Sequence, residues 1–351
     1  MQIKLLIGIV RRLWTQFVNI LYRKRIVMKA LVVGINNYDG CPLTGCVNDA
    51  NAVKDLLSVN GDGSPNFSVK LETKIKNKAE LKKSISQLFS GEGNIALFYF
   101  SGHGTVNECG GYLVTPDAKE YDEGIPLFDV LKYANESKFR NKIIILDCCN
   151  SGAAGNSPFN NSRDDSLSFI SCGTTILTAC ATNEYAVESN GRGVFTTLLI
   201  EALRGGAADI NGNITPGGIY AFIDKALGPW EQRPIFKTNI KNFTPIRTIS
   251  PKVPVSTLRK LTEYFETPEM RIQLDPSFEF TNTPGYKPEI QEPYANEENV
   301  AIFKNLQQFE SIGLVVPEDE DHMYFAAMRS KSCRLTALGA YYWKLVKNNR
   351  I

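Results

Sequence analysis

Two short apolar runs, each closed by a turn that contains glycine, constrain the fold of this chain more than any other feature. Residues 95–100 precede Ser101-Gly102-His103-Gly104, and residues 143–146 precede Asp147-Cys148-Cys149-Asn150-Ser151-Gly152. Runs of this length and composition are typical of buried strands in a parallel sheet. Because parallel strands end at the same edge of their sheet, the imidazole of His103 and a thiol of the second turn are expected to meet there.

A histidine base beside a cysteine nucleophile is an arrangement that cleaves peptide bonds. His103 is one of only two histidines, and the other, His322, follows an acidic stretch and is expected at the surface. The residues alone leave Cys148 and Cys149 as competing nucleophiles. The structural alternative is that the histidine is a satisfied core residue and the thiol is inert and buried. Glycines on both sides of His103, which let a substrate backbone approach, favour the catalytic interpretation.

Between about residues 30 and 245 the pattern alternates between apolar runs and amphipathic helices. This alternation predicts an α/β layered fold, with a mainly parallel central sheet and helices on both faces, for one domain at 28–245. Within it, residues 153–172 are rich in Gly, Ser, Asn and Asp and are predicted to form a flexible loop. Residues 246–256 contain Pro251 and Pro254 and are predicted to be a linker.

The segment 257–351 has a different pattern, in which helices flank a predicted two-stranded hairpin made by residues 314–316 and 323–328. This order resembles the end of a winged-helix domain. The tip of the hairpin would be the acidic stretch Glu318-Asp319-Glu320-Asp321, and residues 297–351 carry equal numbers of acidic and basic side chains. That balance argues against binding to nucleic-acid phosphates and favours a regulatory protein partner or a structural role.

Residues 1–27 form a basic amphipathic extension with six Lys and Arg side chains and no acidic residue, whereas the whole chain has a net charge of only +2. Its uninterrupted apolar stretch is too short to span a bilayer, which takes about 20 residues. Drawn as a helix, the extension has one apolar face, so it could lie on an anionic membrane surface. Packing against the rest of the protein or a partner is the favoured interpretation of the same pattern.

The eight cysteines show neither paired spacing nor the histidine partners of a zinc site. In a chain of this size that usage predicts reduced thiols and a cytoplasmic location. Reduced thiols would also keep a catalytic cysteine available.

Four stretches of the sequence resemble the metacaspase branch of the caspase-like peptidases. They are Ala30-Leu31-Val32-Val33-Gly34-Ile35-Asn36-Asn37-Tyr38, Leu43-Thr44-Gly45-Cys46-Val47-Asn48-Asp49-Ala50, Ser101-Gly102-His103-Gly104 and Asp147-Cys148-Cys149-Asn150-Ser151-Gly152. Their order and spacing match over about residues 30–245. Gly193-Val194-Phe195-Thr196, before a predicted helix, resembles the family's second catalytic section. The resemblance implies a caspase-like peptidase domain at 28–245.

The resemblance also implies roles for individual residues. Cys149 would be the nucleophile and His103 the general acid and base, with the backbone N–H groups of Gly104 and Cys149 as the oxyanion hole. Asp49 and Asp147, with Ser101, would line the pocket for the side chain that precedes the scissile bond. Two carboxylates there favour arginine or lysine. The structural alternative for Asp49 is stabilisation of a helix N-terminus.

With such a preference, the exposed basic residue Arg163 becomes a candidate for self-cleavage. The sequence requires no cofactor, but some metacaspases need calcium. Asp117, Asp122 and Glu123 could supply oxygen ligands, as could Asp164 and Asp165, although no segment has the spacing of a calcium loop. Solvated surface charge is the favoured interpretation of these residues.

These features predict a regulated cysteine endopeptidase that cleaves after arginine or lysine through an acyl-enzyme intermediate. The same dyad could serve an esterase or a transpeptidase. From other classes, the alternatives are a caspase-like pseudo-enzyme that acts as an interaction scaffold and a winged-helix transcription regulator. The complete set of His103, Cys149, Asp49 and Asp147 disfavours the scaffold, and the charge balance disfavours the regulator.

Overall fold

The computed structural model describes residues 27–148, 170–179, 188–189, 192–228, 233–285 and 290–351. The chain divides into two compact units. The first runs to Asp209 and resumes at Asn213–Ile249; the second consists of Ile210–Gly212 and Ser250–Ile351. The predicted extension 1–27 lies outside the described residues except for Val27.

The first unit is built on a six-stranded sheet in the order β12-β8-β7-β3-β1-β2. The described strands of this unit are β1 (Met28–Gly34), β2 (Ser68–Glu72), β3 (Glu92–Ser101), β4 (Gly104–Asn107), β5 (Gly110–Lys119), β6 (Asp122–Pro126), β7 (Lys138–Asp147), β8 (Thr174–Thr178), β9 (Glu188–Ser189), β10 (Arg192–Gly193), β11 (Asn213–Ile214), β12 (Ile235–Asn239) and β13 (Arg247–Thr248). All neighbours in the large sheet are parallel except β12, which pairs antiparallel with β8. The apolar runs that predicted strands form β3 and β7, at its centre.

Helices cover both faces of this sheet, as predicted. The described helices of the first unit are α1 (Cys46–Ser58), α2 (Lys78–Phe89), α3 (Leu127–Glu136), α4 (Val194–Glu201) and α5 (Pro216–Leu227), with a π-helical turn at Ala202–Gly206. Successive residues of β3 alternate between the two faces. Phe98 packs in one core with side chains of α2 and α3, and Leu97 packs in the other with side chains of α1, α4 and α5. The mixed α/β architecture with a mainly parallel sheet is therefore confirmed.

A separate antiparallel sheet, in the order β4-β5-β6, begins directly after β3. Leu113 and Ile125 anchor it in the α2 and α3 core. The alternating pattern of the sequence does not predict the full length of these three strands. The strands are rich in glycine and polar residues, and one of their faces lacks a continuous apolar pattern.

The second unit has its own hydrophobic core, which includes Leu258, Phe265, Phe303 and Phe309. Its described helices are α6 (Val255–Leu258), α7 (Leu261–Tyr264), α8 (Glu297–Ser311), α9 (Met323–Met328) and α10 (Ala337–Lys347), and its strands are β14 (Arg271–Gln273), β15 (Val315–Pro317) and β16 (Ser332–Leu335). The three strands form one antiparallel sheet in the order β14-β16-β15.

One prediction for this region, the hairpin, differs from the structure. Residues 323–328 form helix α9 and not a strand, because Met323, Ala326 and Ala327 are buried at helical spacing. The partner of β15 is β16. The predicted linker 246–256 contains the boundary between the two units at Ile249 and Ser250, with Ile246 buried in the first unit and Val253 in the second. The winged-helix assignment stays a prediction.

In the described part of the chain, no helix combines the length and the apolar character needed to cross a membrane.

Candidate functional site

The predicted site lies where β3 and β7 end. The two strands are parallel neighbours, and their register pairs Ser101 directly with Asp147. On the other side of β3, Ser101 pairs with Gly34 at the end of β1. The turn that carries His103 and the turn that begins at Cys148 therefore leave the sheet at the same level.

His103 is held by Tyr38 in two ways. The backbone N–H of His103 donates to the Tyr38 hydroxyl at 3.1 Å, and that hydroxyl donates to the carbonyl oxygen of Val114 at 3.4 Å. The two rings pack with their centroids 4.6 Å apart. Gly102 is required beside this contact, because a Cβ there would collide with the Tyr38 hydroxyl.

The imidazole of His103 donates a hydrogen bond through one defined ring nitrogen, Nε2. Its Nε2 lies 2.8 Å from the carbonyl oxygen of Cys41. A carbonyl oxygen only accepts hydrogen bonds, so Nε2 carries the proton in this arrangement. In the neutral ring Nδ1 then has the lone pair, which is the form that can take a proton from a neighbouring group.

Tyr38 itself is kept neutral by its surroundings. Burial raises the pKa of its phenol far above the ordinary value, and the hydrogen bond from the His103 backbone offsets only part of that effect. A neutral phenol can accept from His103 and donate to Val114 at the same time, whereas a phenolate could not donate. Tyr38 therefore acts as a fixed bridge over the whole neutral pH range.

Gly104 presents its backbone N–H away from β5. Val114 N–H donates to the carbonyl oxygen of His103 at 2.9 Å, so these opposite residues form a hydrogen-bonded pair. In an antiparallel ladder the next pair, here Gly104 and Leu113, has its N–H and C=O groups pointing away from each other. The Gly104 N–H thus points to the open side of β4, as an oxyanion donor next to His103 would have to.

The two predicted pocket carboxylates converge on the start of α4. Asp49 Oδ2 accepts from the backbone N–H of Gly193 at 3.2 Å. Asp147 Oδ2 accepts from the hydroxyl of Thr196 at 2.6 Å, and it lies so close to Gly193 that a Cβ there would collide with it. Asp49 is 1% exposed and Asp147 is 6% exposed. The structure therefore brings these acids together in a buried position.

Tyr99 forms the floor of this acidic cluster. Its hydroxyl lies 2.6 Å from that of Thr196. Burial raises the pKa of Tyr99 strongly, and the negative charges of Asp147 and Asp49 raise it further. Ser101, two residues along β3 on the same face, is also hydrogen-bonded to Tyr99. The three residues that the resemblance placed in one pocket thus share one face of the sheet edge.

The described part of the second turn ends at Cys148, which is buried at 2% exposure in the α2 and α3 core. It faces away from Asp147, as alternation along a strand requires. The predicted nucleophile Cys149, the predicted self-cleavage residue Arg163, and Asp164 and Asp165 lie outside the described residues.

The other carboxylates considered for calcium have local partners. Asp117 Oδ1 accepts from the backbone N–H of Lys78 at 2.9 Å and from Thr115 Oγ1 at 2.7 Å. Asp122 forms an ion pair with the Lys78 amine, and Glu123 accepts from Asn107. Within the described residues, no group of three or more His, Cys, Asp or Glu side chains is placed to hold a metal ion.

Three contributors to the site were missed in the sequence analysis as functional residues: Tyr38, Tyr99 and Thr196. Tyr38 and Thr196 lie in stretches that carry the family resemblance, which was the only available signal. Tyr99 is part of an apolar run and looked like ordinary core. Their roles depend on hydrogen bonds between residues 49 to 97 positions apart, which no local pattern reveals.

Comparison with known proteins bears on the same segment. The family model described as the caspase domain matches residues 27–220. Among solved structures, the protein GSU0716 from Geobacter sulfurreducens is similar with 16% identity and a TM-score of 0.46, covering 64% of this chain and 100% of its own. Caspase-1 from Spodoptera frugiperda is similar with 14% identity and a TM-score of 0.46, covering 64% of this chain and 91% of its own.

No curated protein matches the chain. The family match spans more than half of the sequence and includes β1, β3, β7, His103 and both predicted pocket carboxylates. The chain therefore belongs to the caspase-domain family of cysteine-type peptidases.

Proposed function

We propose that this protein is a metacaspase-like cysteine endopeptidase that cleaves after arginine or lysine, with Cys149 as nucleophile and His103 as general acid and base. The observation that carries the proposal is the setting of His103. Its Nε2–H is engaged by the Cys41 carbonyl, which leaves the Nδ1 lone pair for the thiol of the neighbouring turn.

The reaction would proceed through a thioester. His103 Nδ1 takes the thiol proton of Cys149, and the thiolate attacks the carbonyl carbon of the scissile bond. The Gly104 N–H stabilises the negative oxygen that develops. His103 then gives its proton to the leaving amine as the C–N bond breaks. A water molecule, deprotonated by the same ring, hydrolyses the thioester and restores the thiol.

The preference for a basic residue rests on Asp49 and Asp147. Both carboxylates are nearly inaccessible to water and meet at Gly193. A guanidinium or ammonium group that enters this region is attracted by two negative charges that water screens poorly, whereas an acidic side chain would be repelled. Arg163 is proposed as the self-cleavage residue on the same ground, since it is a basic side chain in the segment that follows the catalytic turn.

The test uses peptides that end in arginine, lysine or aspartate before a fluorophore, with and without calcium. Purified parent protein is compared with Cys149→Ala and with the matched variant Cys148→Ala. We expect cleavage after arginine and lysine that Cys149→Ala abolishes and Cys148→Ala retains. Fragmentation of the parent at Arg163, absent from Cys149→Ala, would support self-processing.

Other outcomes contradict specific parts of the proposal. Cleavage after aspartate would overturn the assignment of the pocket. Loss of activity in Cys148→Ala, with activity retained in Cys149→Ala, would identify Cys148 as the nucleophile. An absence of cleavage under every condition would favour the interaction scaffold, with residues 257–351 as the partner-binding region. A response of the cleavage rate to calcium would show that the protein binds this metal.

A further inference from the structure

The outer side of β4 is a sheet edge that no described strand covers, and it starts at the candidate site. Among the described strands, β4 pairs only with β5, and it follows His103 directly. The hairpin to β5 has two loop residues, Glu108 and Cys109. A two-residue loop makes its flanking residues, Asn107 and Gly110, a hydrogen-bonded pair.

This register is fixed independently at both ends of β4. Counting back from Asn107, the ladder alternates, so Val106 and Gly104 are residues whose N–H and C=O groups point outward. Counting forward from the hydrogen-bonded pair of His103 and Val114 gives the same result. The outward row thus consists of the backbone groups of Gly104 and Val106, spaced as a partner strand would need.

The two faces of the central sheet separate this edge from the acidic cluster. Asp49, Asp147 and Thr196 lie on the face covered by α1 and α4, whereas the sheet of β4 is anchored by Leu113 in the core of α2 and α3. A peptide whose basic side chain lies at the acidic cluster, and whose reacting carbonyl lies at the Gly104 N–H, therefore reaches the start of β4 as it crosses the sheet edge.

We propose that β4 is the binding site for the part of the substrate that follows the scissile bond, which adds to its outer edge as an extended strand. This inference rests on the proposed function and extends it to the leaving half of the substrate. The backbone groups of Val106 and the carbonyl of Gly104 would pair with that half, while the Gly104 N–H serves the reacting carbonyl. Strand addition of this kind recognises main chain and leaves sequence open.

The length of the edge sets the length of the subsite. β4 ends at Asn107, whose side chain accepts from the backbone N–H of Cys109 at 2.8 Å and donates to Glu123 at 3.0 Å. These bonds close the far end of the strand. With about 3.3 Å per residue, the outward row accommodates the first two or three residues after the scissile bond.

The experiment compares two substrates of the full-length protein that share the sequence up to arginine. In the first, a fluorophore follows the arginine. In the second, four more residues follow it, and cleavage is measured by chromatography of the products. A third peptide carries an N-methyl group on the amide of the second residue after the scissile bond, and a fourth carries it on the third. We expect one of these methyl groups to lower kcat/KM about fivefold, the effect of one hydrogen bond.

The protein-side variant is Val106→Pro, which deletes an outward N–H and leaves the ladder to β5 intact. We expect it to lower the ratio of kcat/KM for the long peptide to that for the fluorogenic peptide about fivefold. Val106→Ala keeps the N–H and should retain the ratio of the parent. The methylated peptides are assayed with the parent protein, so they test the β4 subsite even when the proline variant does not fold.

The outcomes separate the two proposals. If the parent cleaves both substrates but neither methyl group nor Val106→Pro changes their ratio, the β4 subsite is wrong and the proposed function stands. If the parent cleaves neither substrate, the proposed function is wrong and the subsite falls with it.

Discussion

The Tyr38 side chain makes three contacts around the candidate site. Its hydroxyl bridges the backbone of His103 and Val114, and its ring packs against the imidazole. Without the bridge, two partly buried backbone groups would lose their partners, and full burial of an unsatisfied group costs roughly 1–3 kcal/mol. The phenol is therefore a positioning residue for the histidine and for the start of β4.

We predict that Tyr38→Phe lowers kcat about tenfold, a part of the 10²–10⁴ that general acid–base catalysis typically supplies. The ring is kept, so the change removes the bridge and not the packing. Steady-state kinetics with the arginine peptide provide the measurement. Since Tyr38 does not line the acidic cluster, KM should change less than twofold. A rise in KM at constant kcat would contradict the role given to this residue.

Thr196 fixes the orientation of Asp147 at the start of α4. We predict that Thr196→Val lowers the free energy of unfolding by about 2 kcal/mol, because a buried carboxylate loses a hydrogen-bond donor. It should also raise KM for the arginine peptide and reduce the preference for arginine over glutamine, which a purely structural role would leave unchanged. Thr196→Ser retains the hydroxyl and should restore both. Denaturant unfolding and kinetics are the measurements; unchanged selectivity in Thr196→Val would refute the positioning role.

At the scale of elements, the sequence was informative where strands are buried on both faces. The runs that became β3 and β7 are continuous and apolar, so their existence, their direction and the turns that follow them were predictable. The small sheet of β4, β5 and β6 and the edge strand β12 have mixed composition, and only tertiary contacts select their conformation. The sequence of helix α9 predicted a strand, because six residues are too few to distinguish the helical spacing of apolar residues from the alternation of a strand.

Asp117 belongs to this scale, because it stabilises the start of α2. Its carboxylate accepts the Lys78 N–H in the first turn, where helix donors otherwise lack partners. We predict that Asp117→Ala lowers the free energy of unfolding by about 1 kcal/mol, the usual cost of removing such a cap. Urea unfolding in calcium and in chelator is the measurement, and the loss should be equal in both. A loss seen only in calcium would instead assign a metal to Asp117.

At the scale of the whole molecule, strands from before and after the proposed cleavage residue share one sheet. β7 precedes Arg163 and β8 follows it, and the two pair in parallel from Lys142 to Leu146. Thr196 and Asp147 add a buried bond across the same division. We predict that protein cleaved at Arg163 elutes from a sizing column as one species and separates only in denaturant. Separation in native buffer would contradict the sheet order.

The second unit has the size and the core of an independent domain. Its buried cluster includes Leu261, Phe303 and Leu306, which are fully inaccessible to water. We predict that residues 250–351 expressed alone unfold in one cooperative thermal transition, since a chain of about 100 residues with one core usually does. Circular dichroism is the measurement. A non-cooperative melt would mean that Ile210–Gly212, which belongs to the same unit, is indispensable.

The bridge made by Tyr38 also has a consequence for biosynthesis. Its two hydrogen bonds join residues 65 and 76 positions apart, and the bond between His103 and Cys41 spans 62. Contacts of such sequence separation form later than local ones, because closing a long loop costs more conformational entropy. On the ribosome His103, the proposed general base, would therefore stay without these contacts until β5 has emerged and β1 has joined the sheet. Under the proposed function, a nascent chain would thus not cleave its own unfolded segments or neighbouring nascent proteins.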